Sequence, residues 1–147
     1  MNFFRLGLVA AAAVLMTACA SGPKLSEVKS SIPPLAADQG RIFFYRSSSM
    51  VGAAVQPSIY LNDQVVGTSV PGGFFYADAK AGNVSVATTT EVEKKLTFLL
   101  EPGQTRYVKT SVSFGLLAGR VQPELVDAAT GEKELADTSF TGKAAAK

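Results

Sequence analysis

From Arg41 onward the chain is a series of short apolar runs broken by turn residues, a spacing that predicts strands rather than helices. Arg41-Ile42-Phe43-Phe44-Tyr45-Arg46 is aromatic and β-branched and stops at Ser47-Ser48-Ser49. Pro57 opens Ser58-Ile59-Tyr60-Leu61, Asn62-Asp63 supplies a turn, and Gln64 to Ser69 returns. Pro71-Gly72-Gly73 precedes Phe74-Phe75-Tyr76-Ala77, and Lys80-Ala81-Gly82 leads into the alternating run Asn83 to Thr89. Lys94 to Leu100 ends at Glu101-Pro102-Gly103-Gln104, and Thr105 to Ser113 alternates again. Val121 to Val126 is the last strand, placed at a sheet edge by Pro123, and Glu132 to Ala136 is a short closing helix. About seven or eight strands at this spacing predict an all-β fold, an antiparallel sandwich, with no βαβ alternation.

The N-terminus follows another pattern. Met1 to Arg5 is a short positive start, and Leu6 to Met16 is an uncharged apolar stretch that fits the 7–15 residues of a secretory signal. It is too short to span a bilayer as a stable helix. Leu15-Met16-Thr17-Ala18-Cys19 resembles the lipobox of bacterial lipoproteins, with Met16 where Leu is usual. The resemblance implies removal of residues 1–18 as a signal peptide. It also implies a diacylglyceryl thioether and an N-acyl chain (palmitate) on Cys19, which becomes the first mature residue. Ala20, where Asp would favour retention in the inner membrane, points to the periplasmic face of the outer membrane. Residues 19–40, rich in Ser, Gly and Pro, read as a flexible tether with a mean reach of roughly 25 Å. The domain then runs over 41–140, and 141–147 reads as a disordered tail.

Composition narrows the chemistry. A chain of 147 residues, 47% hydrophobic and 18% charged, holds one globular domain. Loss of Arg5 with the leader takes the net charge from +2 to +1, and no basic run follows a phosphate backbone, so nucleic acid is not an expected partner. The chain has no His, which excludes Ser-His-Asp and Cys-His nucleophile systems and imidazole metal ligands. Neither enzymatic activity nor a metal or other cofactor is expected. Glu91, Glu93, Asp127, Glu132 and Glu134 read as solvated carboxylates, the first pair neutralised by Lys94 and Lys95.

The order of short motifs resembles a bacterial lipoprotein family known only as domain of unknown function 2846. The motifs are Gly40 to Arg46, Ile59-Tyr60-Leu61-Asn62-Asp63, Val66-Gly67, Gly73-Phe74-Phe75, Ala81-Gly82, Pro102 to Val108 and Gly131 to Leu135. Lys80-Ala81-Gly82 stands where a Pro-Gly turn is usual. Pro57 to Ala87 is also similar to PEGA-type β-sandwich modules. The resemblance implies an Ig-like or prealbumin-like sandwich and no activity.

Five residues are candidates for binding. Tyr45 and Tyr76 close two Phe-Phe-Tyr triplets, which either fill the core or line a groove for a glycan, peptide or lipid tail. Arg46 either meets an anionic headgroup or partner carboxylate or pairs with an internal carboxylate. Leu116 and Leu117 lie in the apolar loop Phe114 to Arg120, which either tucks under the sandwich or faces a partner or bilayer. The expected function is that of a membrane-anchored, non-catalytic binding or structural module with an envelope protein as partner. A carrier of a small apolar ligand, held in an aromatic-lined cavity, is the alternative.

Overall fold

The computed structural model describes residues 19–90, 93–114 and 119–142. The leader, Leu116 and Leu117 lie outside these residues. Nine strands form two sheets: β1 (Gln39–Tyr45), β2 (Ser58–Leu61), β3 (Gln64–Thr68), β4 (Gly73–Lys80), β5 (Gly82–Thr89), β6 (Glu93–Leu100), β7 (Thr105–Phe114), β8 (Gly119–Val126) and β9 (Ser139–Phe140). Helix α1 (Leu25–Val28), continued by a 3-10 turn (Lys29–Ser31), precedes them, and α2 (Ala128–Ala136) lies between β8 and β9.

The first sheet has the order β8-β7-β1-β4-β9 and the second β3-β2-β5-β6. Local chemistry fixes the hairpins. Asn62 (φ 49°) and Asp63 (φ 65°) both take the left-handed conformation that a two-residue loop between twisted strands requires. Gly103 (φ 74°) follows Pro102 in a turn closed by Gln104 N–H donating to Glu101 O at 3.1 Å. The sandwich is antiparallel with two exceptions: β1 pairs parallel with β7, and β4 parallel with β9. β8 is an edge strand, as Pro123 predicts.

The two aromatic triplets are cross-strand partners, with Phe43 opposite Tyr76, Phe44 opposite Phe75 and Tyr45 opposite Phe74. Alternation sends Phe44 and Phe75 inward, stacked with centroids 5.0 Å apart, into the inter-sheet core with Ile42, Ile59, Val86, Leu100 and Val108. Phe43, Tyr45, Phe74 and Tyr107 point outward, yet they are buried as well, in a second core with Leu135 of α2. The first sheet is thus covered on both faces, which is why the end of β1 reads as an unbroken apolar run.

Half of that outer cover is the segment whose composition predicts a tether. Leu25, Val28 and Ile32 lie at helical spacing and pack on the outer aromatic cluster. Backbone bonds hold the segment along its length: Ala20 N–H donates to Pro71 O at 3.0 Å, and Pro23 O accepts from Phe140 N–H at 2.7 Å. Lys24 Nζ donates to Asp137 O at 2.8 Å, and Arg41 to Pro33 O at 2.8 Å. Residues 20–38 form a strap rather than a tether, because Leu25, Val28 and Ile32 share one waiting surface. Of the 141–147 tail, Thr141 is docked, its N–H donating to Phe74 O at 2.8 Å, and residues 143–147 lie outside the described residues.

Candidate binding site

Strand directions bring several loops to one end of the molecule. β1 and β7 run toward it and β4, β8 and β9 start from it, so Arg46, Gly73, Phe114, Gly119 and Ser139 share that end. Ala20 joins them through its bond to Pro71, with Cys19 exposed beside it.

Arg46 is fixed there as an internal brace. It is 3% exposed, and its guanidinium donates to Val55 O (2.7 Å), Gly52 O (2.8 Å) and Ser69 O (3.3 Å). Among the described residues its partners are backbone carbonyls rather than a carboxylate, and they tie the 46–57 loop to Ser69. Burial pushes its pKa down. Tyr45 is likewise committed to a partner within the chain. Its hydroxyl donates to Glu134 Oε2 at 2.6 Å, and Lys109 Nζ meets Glu134 Oε1 at 2.9 Å. Burial and the neighbouring carboxylate raise the Tyr45 pKa, while the Tyr45 and Lys109 bonds lower that of Glu134. Glu134 is therefore a pinning group between α2 and the first sheet, not merely a solvated carboxylate. Arg41 and Asp78 form a bidentate pair at 2.7 and 2.8 Å over the Tyr76 ring, the guanidinium carbon 4.8 Å from its centroid.

Among the described candidates, Arg46 lines a small pocket of about 200 Å³ with Ser47, Val51 and Lys109, and Tyr76 lines a larger one. A groove of about 860 Å³ separates the edge strand β3 from the β4–β9 edge, lined by Val65, Val66, Thr68, Phe75, Tyr76 and Phe140. Gln56, Gly67, Val70, Thr141 and Gly142 complete it, so no charged side chain lines it. β3 pairs only with β2 and leaves its other edge toward this groove; Val65 there is 60% exposed. Sequence reasoning missed Val65, Thr68 and Phe140, because one wall is β9, a strand of two residues that carries no periodic signal. Among the described residues no group of three or more acidic, Cys or His side chains could hold a metal ion.

Two sheets face to face, one of them roofed by the chain's own N- and C-terminal segments, with a neutral groove along a free edge, define a small β-sandwich module. The chain belongs to the family described as Protein of unknown function (DUF2846), whose model matches residues 36–121. The chain is also 28% identical over 140 residues to an uncharacterized protein of Haemophilus influenzae, covering 91% of this chain and 82% of the relative. No solved structure matches it. The family match includes Arg46, β3 and Tyr76 but stops before α2 and β9, so one wall of the groove lies outside it.

Proposed function

We propose that this chain is a lipid-anchored envelope module that binds a partner without catalysis. Acyl chains on Cys19 hold it at the periplasmic face of the outer membrane, and the groove beside β3 receives an extended segment of an envelope protein. The observation that carries the reading is the groove itself: an unpaired strand edge offers backbone donors and acceptors next to uncharged, partly aromatic side-chain pockets. That pairing suits strand addition, in which main-chain bonds supply affinity and alternate side chains fill pockets. The anchor rests on the apolar leader, the lipobox-like residues before Cys19 and the exposure of Cys19.

Two measurements test the proposal. Cys19→Ser is expected to abolish palmitate incorporation in cells; continued labelling would remove the anchor. A photoreactive residue at Val65 is expected to give a discrete protein adduct that Thr68→Arg eliminates, while the same residue at Lys95, on β6, gives none. An adduct indifferent to Thr68→Arg would refute the groove as the docking site.

The rings in the groove favour one second reading, binding of a small apolar ligand. In that case a lipid adduct, and no protein adduct, forms at Val65. An internal ligand cavity between the sheets has no such support, since Phe44, Phe75 and their neighbours fill the core.

A further inference from the structure

The exposed apolar side chains are unevenly distributed. Among the described residues five large ones are exposed: Met50 (73%), Val51 (55%), Val65 (60%), Leu99 (55%) and Phe114 (73%). Val65 belongs to the groove and Leu99 to β6 of the second sheet. The other three stand at the end of the molecule where Cys19 is exposed.

Their placement follows from the strand register. Lys109 is the partner of Tyr45, and β7 continues five residues past it to Phe114, so the β7–β8 hairpin projects roughly 16 Å beyond the end of β1. The 46–57 loop leans on this projection. Gly52 lies so close to β7 that a Cβ there would stand 2.7 Å from Val112 Cγ1, and one on Gly119 would stand 3.2 Å from Val55 Cγ2. Arg46 holds the same loop from beneath through Gly52 O and Val55 O. Met50, Val51 and Phe114 are therefore carried on a braced wall. Segments 46–57, 66–77 and 110–123 contain no Asp or Glu; Ser47, Ser48 and Ser49 precede Met50 in the chain, and Ser111 and Ser113 alternate with Val112 and Phe114 along β7. Glu93 stands at the same end, on the second sheet.

The anchor residue is tied close to this wall. Cys19 is one residue from the backbone bond between Ala20 and Pro71, and a Cβ on Gly73 would lie 3.2 Å from Ala20 Cβ. Acyl chains on Cys19 would bring this end, and no other, against the bilayer. Three apolar side chains on segments without Asp or Glu, with Glu93 and Asp137 on other elements of the same end, suit the boundary between headgroups and acyl chains.

We propose that this end is a membrane-apposed surface. Met50, Val51 and Phe114 enter the interfacial layer of the bilayer that holds the Cys19 acyl chains and make a second contact that fixes the domain's orientation. The inference rests on the lipid-anchor reading. Its occupant is a lipid surface because the anchor point and the patch share one end of a rigid body.

The test uses the full lipidated protein in vesicles of phosphatidylethanolamine and phosphatidylglycerol. Lipidation consumes the Cys19 thiol, so single cysteines introduced by Met50→Cys, Phe114→Cys, Val65→Cys and Leu99→Cys can each carry an environment-sensitive fluorophore. Quenching by a lipid-borne nitroxide is expected to be several-fold stronger at positions 50 and 114 than at 65 and 99, with iodide quenching in the reverse order. Equal lipid quenching at all four positions, on protein that still sediments with the vesicles, would overturn the membrane-apposed surface while leaving the anchor standing. Protection of 50 and 114 from iodide without lipid quenching would also overturn it, assigning the patch to a protein contact. A Cys19 that stays free to react with maleimide, on protein that does not sediment, removes the anchor and this inference with it.

Discussion

Gly131 sits in the interior of α2, where helix propensity alone favours alanine by about 1 kcal/mol. Packing opposes it. A Cβ at position 131 would stand 2.6 Å from Tyr107 Cβ and 2.8 Å from its Cδ1, against about 3.5–4.0 Å for an ordinary carbon contact. Rotating the ring does not relieve the clash, because Tyr107 Cβ is fixed by β7 in the middle of a five-stranded sheet. The helix must instead lift by about 1 Å, the shortfall between those distances. Lifting lengthens the Tyr45–Glu134 bond of 2.6 Å and the Lys109–Glu134 bond of 2.9 Å and loosens Leu135, which is fully buried. Overpacking costs about 1–3 kcal/mol, and the weakened carboxylate bonds add about 1 kcal/mol. Against the gain in propensity, Gly131→Ala is expected to destabilise the domain by about 2 kcal/mol, a fall in Tm of about 8 °C. Urea denaturation followed by circular dichroism measures it, with exposed Lys133→Ala as a helix control that changes little. A denaturation midpoint that rises in Gly131→Ala would refute the seating of α2 on Tyr107, since only propensity would then remain.

Arg46→Met removes the donor to three carbonyls. It is expected to cost about 2 kcal/mol in urea titrations, two short charge-assisted bonds outweighing relief of the buried cation; an unchanged midpoint would mean the guanidinium is no brace. Because the pKa of Glu134 is lowered in the fold, its stabilisation is complete above the ordinary carboxylate value of 4.5 and lost as pH falls through the depressed one. The stability difference between the native protein and Glu134→Gln, about 1 kcal/mol at neutral pH, should therefore shrink on acidification; a difference independent of pH would refute the Tyr45–Glu134–Lys109 linkage. Tyr45 has the opposite sign. Its raised pKa holds the phenol neutral, so stability falls as pH climbs above the ordinary value of 10.0, and Tyr45→Phe should flatten that alkaline limb. Ile32→Asp is expected to free the strap, seen as faster hydrogen exchange at the Phe140 amide, which donates to Pro23 O; unchanged exchange would show that the strap does not depend on this anchor.

The strands were legible because their boundaries are chemical. Asn62-Asp63 and Pro102-Gly103 mark turns that permit few backbones, and Pro123 correctly puts β8 at an edge. Pairing was less legible. Nothing local announces that β1 lies between β4 and a parallel β7, since that neighbour is more than sixty residues away. The helix starts at Ala128 rather than Glu132; Asp127, whose carboxylate accepts from Thr130 N–H, signals the start, but Gly131 argues against a helix there until the ring beneath it is seen. The sites were harder still. Arg46 looks like a ligand-binding residue because its partners are carbonyls of Gly52, Val55 and Ser69, and backbone oxygens leave no trace in a sequence. The strap was hidden by averaging: a Ser- and Pro-rich stretch reads as solvent-exposed even when Leu25, Val28 and Ile32 share one buried side.

The strap also sets the order in which the fold can close. Its outermost bonds are to Asp137 and Phe140, and Lys24 and Asp137 are 113 residues apart in the chain. The central strand likewise waits for β7, and the aromatic face stays uncovered until α2 is made. A chain delivered N-terminus first therefore cannot seat the strap until α2 and β9 arrive, and such long-range closure is slow. Through that interval Ala20 lacks its bond to Pro71 and Pro23 its bond to Phe140, so the chain beside Cys19 is open during delivery, and in the finished domain only Cys19 itself stays exposed next to the docked strap.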